Sequence, residues 1–135
     1  MRTRVVIAGS GAQARAAIAR ALTAAGFFVA AECADARAAV EAVATERPDV
    51  CVIDADLPGG ALVAAATISR PPVPPPVLVL DADGTDSTSR AAELAGASAS
   101  LQGSLDEDRL TDAVAGLLRG DDEPSGHTGK RRRSR

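Results

Sequence analysis

Aromatic side chains are nearly missing from this chain: its 135 residues include no Trp and no Tyr, only Phe27 and Phe28. Neither an aromatic-lined pocket nor the base-stacking platform of a single-strand nucleic-acid binder can be built from them. His127 is the one imidazole and lies beyond the last periodic segment, so a His-dependent triad is excluded and no zinc set can be assembled. Two cysteines, Cys33 and Cys51, are too few for a disulfide framework, and both fall in strand-like runs where a thiol reads as a small buried hydrophobe. Long apolar runs are also absent: nothing approaches the ~18 consecutive residues of a membrane span. The start, Met1-Arg2-Thr3-Arg4 before a short Val-Val-Ile run, lacks the apolar core of a signal peptide, which leads us to expect a cytoplasmic protein.

What the chain has in quantity is alanine, 30 residues of it, in a length that suits one compact domain. Its formal charge of −3 conceals an asymmetry. Lys130, Arg131, Arg132, Arg133 and Arg135 hold five of the fifteen basic side chains, so residues 1–126 carry ten against eighteen acidic ones, or −8. We expect a folded unit over 1–120 and a disordered basic tail or linker over 121–135. Five charges without a scaffold read as a solvated end, and no helix-turn-helix follows, so sequence-specific nucleic-acid binding is not expected in this chain.

Periodicity orders the first part. Residues 3–8 form a short β-branched run closed by Gly9-Ser10-Gly11, as suits a strand buried on both faces. Ile18, Leu22 and Ala25 recur at helical spacing from Ala12 until Gly26 closes the segment. Phe27 to Cys33 is a second strand, and Asp35 caps a helix striped by Ala36, Val40 and Val43 that Pro48 ends. Val50 to Ile53 is a third strand leading into Asp54, Asp56, Pro58 and Gly59. An alanine-rich helix runs to about Ser69, and Pro71, Pro72, Pro74, Pro75 and Pro76 then impose an extended connection. Val77 to Leu80 is a fourth strand ending on Asp81; residues 84–95 read as a helix closed by Gly96, and Ala97 to Leu101 as a fifth strand. Ser104 and Glu107 have capping-box spacing before a last helix striped by Leu110, Val114 and Leu117. Alternation of this kind predicts an α/β, doubly wound five-stranded parallel sheet with helices on both faces, and chemistry at the carboxyl ends of the strands.

From Arg47 through Asp54 to Gly59, and again at Gly96-Ala97-Ser98, the chain resembles the receiver domain of two-component response regulators. The resemblance covers about residues 3–120 and implies the flavodoxin-like strand order 2-1-3-4-5, with Asp54 as the candidate phosphoacceptor. It also places Cys33 and Cys51 on strands flanking the first, about 9–10 Å apart, beyond the ~7 Å reach of a disulfide. The rest of the family's pocket is altered. Its two Mg²⁺-holding acids after strand one are matched by Gly9 and Ser10, its hydroxyl after strand four by Asp81, its aromatic switch residue by Ser100 and its lysine by Gly103.

Asp54 and a backbone carbonyl near Asp56 are a poor set for Mg²⁺, so no metal or other cofactor is expected, with Asp54 the one weak metal candidate. Asp54 and Asp81, at the ends of adjacent strands about 5 Å apart, have no Lys, Arg or His within a few residues, and such a pair repels a phosphoryl group. These features point to an atypical, pseudo-receiver regulatory domain in signal transduction, not an enzyme. It would act through a protein partner, a sensor kinase, an output domain or a homodimer, using the face formed by the fourth predicted helix, the fifth strand and the last helix. Ordinary phosphorylation at Asp54 is one alternative. The other is a small dinucleotide module, since Gly9, Gly11 and Ala14 fit G-x-G-x-x-A with Glu32 where a ribose-binding acid belongs.

Overall fold

The computed structural model describes residues 3–70, 74–81, 91, 93–102 and 106–119. Its elements are β1 (Arg4–Ala8), α1 (Ala12–Ala24), β2 (Phe28–Cys33), α2 (Ala36–Glu46), β3 (Val50–Asp54), α3 (Ala61–Ile68), β4 (Val77–Asp81), β5 (Ala99–Gln102) and α4 (Glu107–Leu118). The five strands form one parallel sheet in the order β2-β1-β3-β4-β5. The central strands β1, β3 and β4 are buried along most of their length, as their unbroken apolar sequences require of a sheet covered on both sides.

Alternation along the strands sorts the core into two layers. Val6, Ala8, Cys51, Ile53, Val77 and Val79 face α2 and α3, while Val5, Ile7, Val50, Val52, Leu78 and Leu80 face α1 and α4. Alanine fills much of the first layer through Ala36, Ala39, Ala61, Ala64 and Ala65, which lets α2 and α3 lie close to the sheet and to each other. Between β1 and β2 the register slips: Val5 lies opposite Val29 but Val6 opposite Ala31, so Ala30 is an extra residue in the edge strand. Cys33 is opposite Ala8 and Cys51 opposite Val6, with β1 between them, and both thiols are free.

Local chemistry sets the helix ends. Asp35 caps α2, its Oδ1 accepting from the Ala38 N–H at 2.8 Å, and α2 stops at Arg47 in the left-handed region before buried Pro48. The cap of α4 differs from the sequence expectation. Asp106 takes that role, accepting from the Arg109 N–H at 2.7 Å, so Glu107 is the first helical residue and cannot complete a capping box with Ser104. Ala91, Glu93 and Leu94 are helical ahead of Gly96, but most of the helix expected over 84–95 lies outside the described residues, as do Pro71, Pro72, Gly103, Ser104 and the tail from 120 onward. Strand five runs two residues later at its start than its sequence suggests, beginning at Ala99. Among the described residues no helix is long and apolar enough to cross a membrane.

Candidate functional site

The carboxyl ends of β1, β2 and β3 converge on Gly9. Its N–H donates to the Cys33 carbonyl at 2.9 Å, which fixes the loop after β1 against β2. Gly9 is buried, and a β-carbon placed on it would lie 3.3 Å from Cβ of Asp54, 3.6 Å from its Oδ2 and 3.7 Å from Cγ of Arg15. The space a side chain would fill is therefore bounded by the Asp54 carboxylate on one side and the Arg15 stem on the other. Ser10, Gly11 and Ala14 are exposed above it.

Asp54 closes β3 and is half-buried. One of its oxygens accepts from the Asp56 N–H at 3.1 Å, and its carbonyl accepts from Leu57 at 3.0 Å, so the acidic turn folds back on the aspartate itself. Pro58 and Gly59 carry this turn to α2: the Pro58 carbonyl accepts from the Ala36 N–H at 2.8 Å, and Gly59 holds φ of 90° with its α-carbon so placed that a β-carbon would meet Ala36 Cβ at 3.0 Å. Glycine is needed there twice over, for the positive φ and for the close approach.

Arg15 is the residue that linear reading missed. It extends from the first turns of α1, donates through Nη1 to the Gly9 carbonyl at 2.6 Å, and brings Nε to 4.0 Å from Oε1 of Glu32. Nε is buried without a hydrogen-bond partner. No cation lies within a few residues of Asp54 in sequence, yet α1 delivers the Arg15 guanidinium to the Gly9 carbonyl, with the Arg15 stem along the same gap that Asp54 bounds. A basic residue one turn into a helix that starts at a strand end is the signal that could have found it. Glu32, placed in sequence as a ribose acid, instead turns toward the Arg15 guanidinium, while the Gly9-Ser10-Gly11 loop does lead into α1 with Gly11 at its N-cap.

The expected pairing of Asp54 with Asp81 is also altered. Asp54 is opposite Leu80, and Asp81 stands one step further along, opposite Gln102, so the two aspartates are staggered and not directly opposed. Ser100 is half-buried within β5 opposite Val79. Gly103 lies outside the described residues. Burial, followed by the nearby Asp35 charge, pushes the Cys33 thiol up, with Arg15 opposing the rise. Burial beside Cys33 pushes Cys51 up to about 12.

Mg²⁺ does not suit this donor set. The metal asks for several hard anionic oxygens in a near-octahedral shell. Gly9 offers none, the neighbouring guanidinium is already bound to its carbonyl, and among the described residues no three His, Cys, Asp or Glu side chains come together as ligands.

A doubly wound parallel sheet in this order, with an aspartate closing its middle strand and a Pro-Gly turn after it, is the flavodoxin-like fold, in which ligands and chemistry generally gather at the carboxyl edge. The chain belongs to the response regulator receiver domain family, whose sequence profile matches residues 5–115. Its structure is similar to the signal receiver domain of the response regulator NarL from Mycobacterium tuberculosis, at 26% identity and a TM-score of 0.83 over 88% of this chain and 98% of that one. It is also similar to a LuxR-family two-component response regulator from Aurantimonas sp. SI85-9A1, at 26% identity and 0.85 over 91% and 89%. The isolated REC domain of RcsB from Salmonella enterica serovar Typhimurium, solved with phosphomimetic BeF3-, shares the fold at 18% identity and 0.80 over 90% and 92%. No curated protein matches the sequence. Receiver domains interact with kinases and output domains, which places this chain in two-component signalling.

Proposed function

We propose that this chain is an atypical receiver that signals through protein contacts, without Mg²⁺-dependent phosphorylation of Asp54 and without catalysis of its own. The observation that carries this reading is the loop after β1: where metal-holding acids would stand it has Gly9 and Ser10, and Arg15 closes onto the Gly9 carbonyl at 2.6 Å. A fixed cation there repels Mg²⁺ and partly balances the negative charge of Glu32 beside it. The domain then works as a docking unit for a sensor kinase, an output domain or a second copy, the face around β5 and α4 being the one we assign to it. The LuxR-family and NarL neighbours, both response regulators, favour an output in transcription regulation, and a cytoplasmic setting is part of the same reading.

The test is intact-mass analysis after incubation with acetyl phosphate and Mg²⁺. We expect no added phosphoryl group and no change in oligomeric state. A phospho-aspartate at Asp54 that disappears in Asp54→Asn would overturn the proposal and return the chain to the ordinary receivers, a reading favoured by the half-exposed position of Asp54 at the end of β3. A rise in melting temperature with NADH or FAD would instead support the dinucleotide alternative built on Gly9, Gly11, Ala14 and Glu32.

A further inference from the structure

The opposite end of the molecule carries a groove that the signalling reading does not use. It lies where α2 and α3 both end, floored by Val43, Pro48 and Ile68 and walled by Pro74 and Pro75 ahead of β4, with a volume of about 720 Å³ open to solvent. Its lining is mainly apolar, and it contains no acidic residue. Two exposed arginines, Arg47 and Arg70, stand on its rim.

Neither guanidinium has an ion-pair partner among the described residues. The acids nearest Arg47 in sequence are taken by Arg4: Glu46 through a 2.7 Å ion pair, and Asp49 through a 2.8 Å hydrogen bond from the Arg4 N–H. After Arg70 the chain continues with Pro71, Pro72 and Val73, none of which can pair with it. The carboxyl ends of α2 and α3 contribute about half a negative charge each, which two full positive charges outweigh. In residues 1–126, with eighteen acidic side chains against ten basic, this is a local reversal of sign.

Backbone conformation at Arg47 adds a second indication. Arg47 closes α2 at φ 49° and ψ 61°, and it is the one described residue other than glycine with positive φ. Glycine is the less costly residue at such a helix end. Keeping arginine there holds a charge on the groove rim against a conformational penalty. Pro74 and Pro75 have fixed φ, so one wall is stiff before anything binds and little ordering is lost on contact.

We propose that this groove docks an acidic segment of a partner protein, its apolar side chains seated between Val43, Ile68 and the prolines and its carboxylates paired with Arg47 and Arg70. The probe is a short synthetic peptide of Glu, Asp and Leu carrying fluorescein, titrated into the full chain by fluorescence anisotropy and by amide NMR. Saturable binding is expected, with the largest shifts at Val43, Arg47, Ile68 and Arg70. The double variant Arg47→Glu/Arg70→Glu should weaken it by on the order of tenfold or more, as loss of charge-assisted hydrogen bonds implies. Arg37→Glu, at the other end of α2, should leave it unchanged.

Arg47→Gly separates a docking role from a structural one. It should raise the melting temperature by relieving the positive φ, and weaken the peptide in the same protein. No saturable binding, unaltered affinity in the double variant, or shifts confined to the carboxyl edge would each overturn the proposal. So would a groove occupied by a second copy of the chain, seen as dimerisation that the peptide cannot displace.

Discussion

A carboxylate introduced at position 9 would enter a gap whose walls are Asp54 and the stem of Arg15, 3.3 and 3.7 Å from its β-carbon. With the guanidinium in place, the new acid pairs with it and not with a metal. We therefore expect Gly9→Asp/Ser10→Asp to bind Mg²⁺ weakly, and the same variant carrying Arg15→Ala to bind it on the order of tenfold more tightly, because a unit charge a few ångströms from a divalent ion is worth more than 1 kcal/mol even in a wet site. Titration calorimetry on the two proteins decides it, and equal affinities would remove Arg15 from the account. Gly59→Ala tests the turn after Asp54: its φ of 90° and the 3.0 Å approach to Ala36 Cβ should cost about 1–3 kcal/mol in denaturant melts. Single residues were unevenly legible from sequence. Asp54 stands out because it ends an apolar run and precedes a Pro-Gly turn. Arg15 does not, because its role depends on the direction in which a helix throws a long side chain, and nothing linear links it to Asp54 or Glu32.

Elements were easier to read than their ends. Apolar runs of five or six residues, glycines after helices and Asp35 before α2 mark where the chain changes state; the short crossovers make the strands parallel, and their order was implied by the family resemblance. The start of α4 was misread because Ser104 and Glu107 match a spacing rule, whereas Asp106 wins the N-terminal amides with a charged acceptor two residues closer to the helix. Asp35→Ala and Asp106→Ala should each destabilise the domain by about 1 kcal/mol, the usual worth of an N-cap side chain. Thermal melts that show no loss for Asp106→Ala would mean the cap lies elsewhere. The left-handed end of α2 had no sequence signal at all, since Arg47 stands where glycine would have announced it.

For the molecule as a whole, the two thiols set an alkaline limit. An unfolded chain releases a cysteine proton at about pH 8.5, whereas folded Cys51 holds its own to about 12. The stability that goes with protonated Cys51 is complete below about pH 8.5 and is lost as pH rises toward 12, at about 1.4 kcal/mol per pH unit. Wild type should therefore lose ground against Cys51→Ala between about pH 7.5 and pH 10, and denaturant melts at both values would show it. An unchanged difference would place Cys51 in contact with water. At neutral pH neither thiol should react with a bulky disulfide reagent before unfolding.

The extra residue in β2 has a further consequence. Strand positions alternate between the two layers, so it is the bulging out of Ala30 that keeps every later residue of β2 on its side of the sheet. With it, Glu32 lies opposite Ile7 on the side from which Arg15 arrives, and Cys33 lies opposite Ala8 beneath α2. Straightening the strand with Ala30 kept would exchange their addresses, sending the acid into the alanine-packed layer and the thiol toward the guanidinium, whereas deleting Ala30 would leave both where they are. Length variation at this edge is thus absorbed by the bulge: a chain one residue shorter at position 30 keeps Glu32 opposite Ile7 and Cys33 opposite Ala8, and a single insertion elsewhere in β2 spares them only if it is bulged out in its turn.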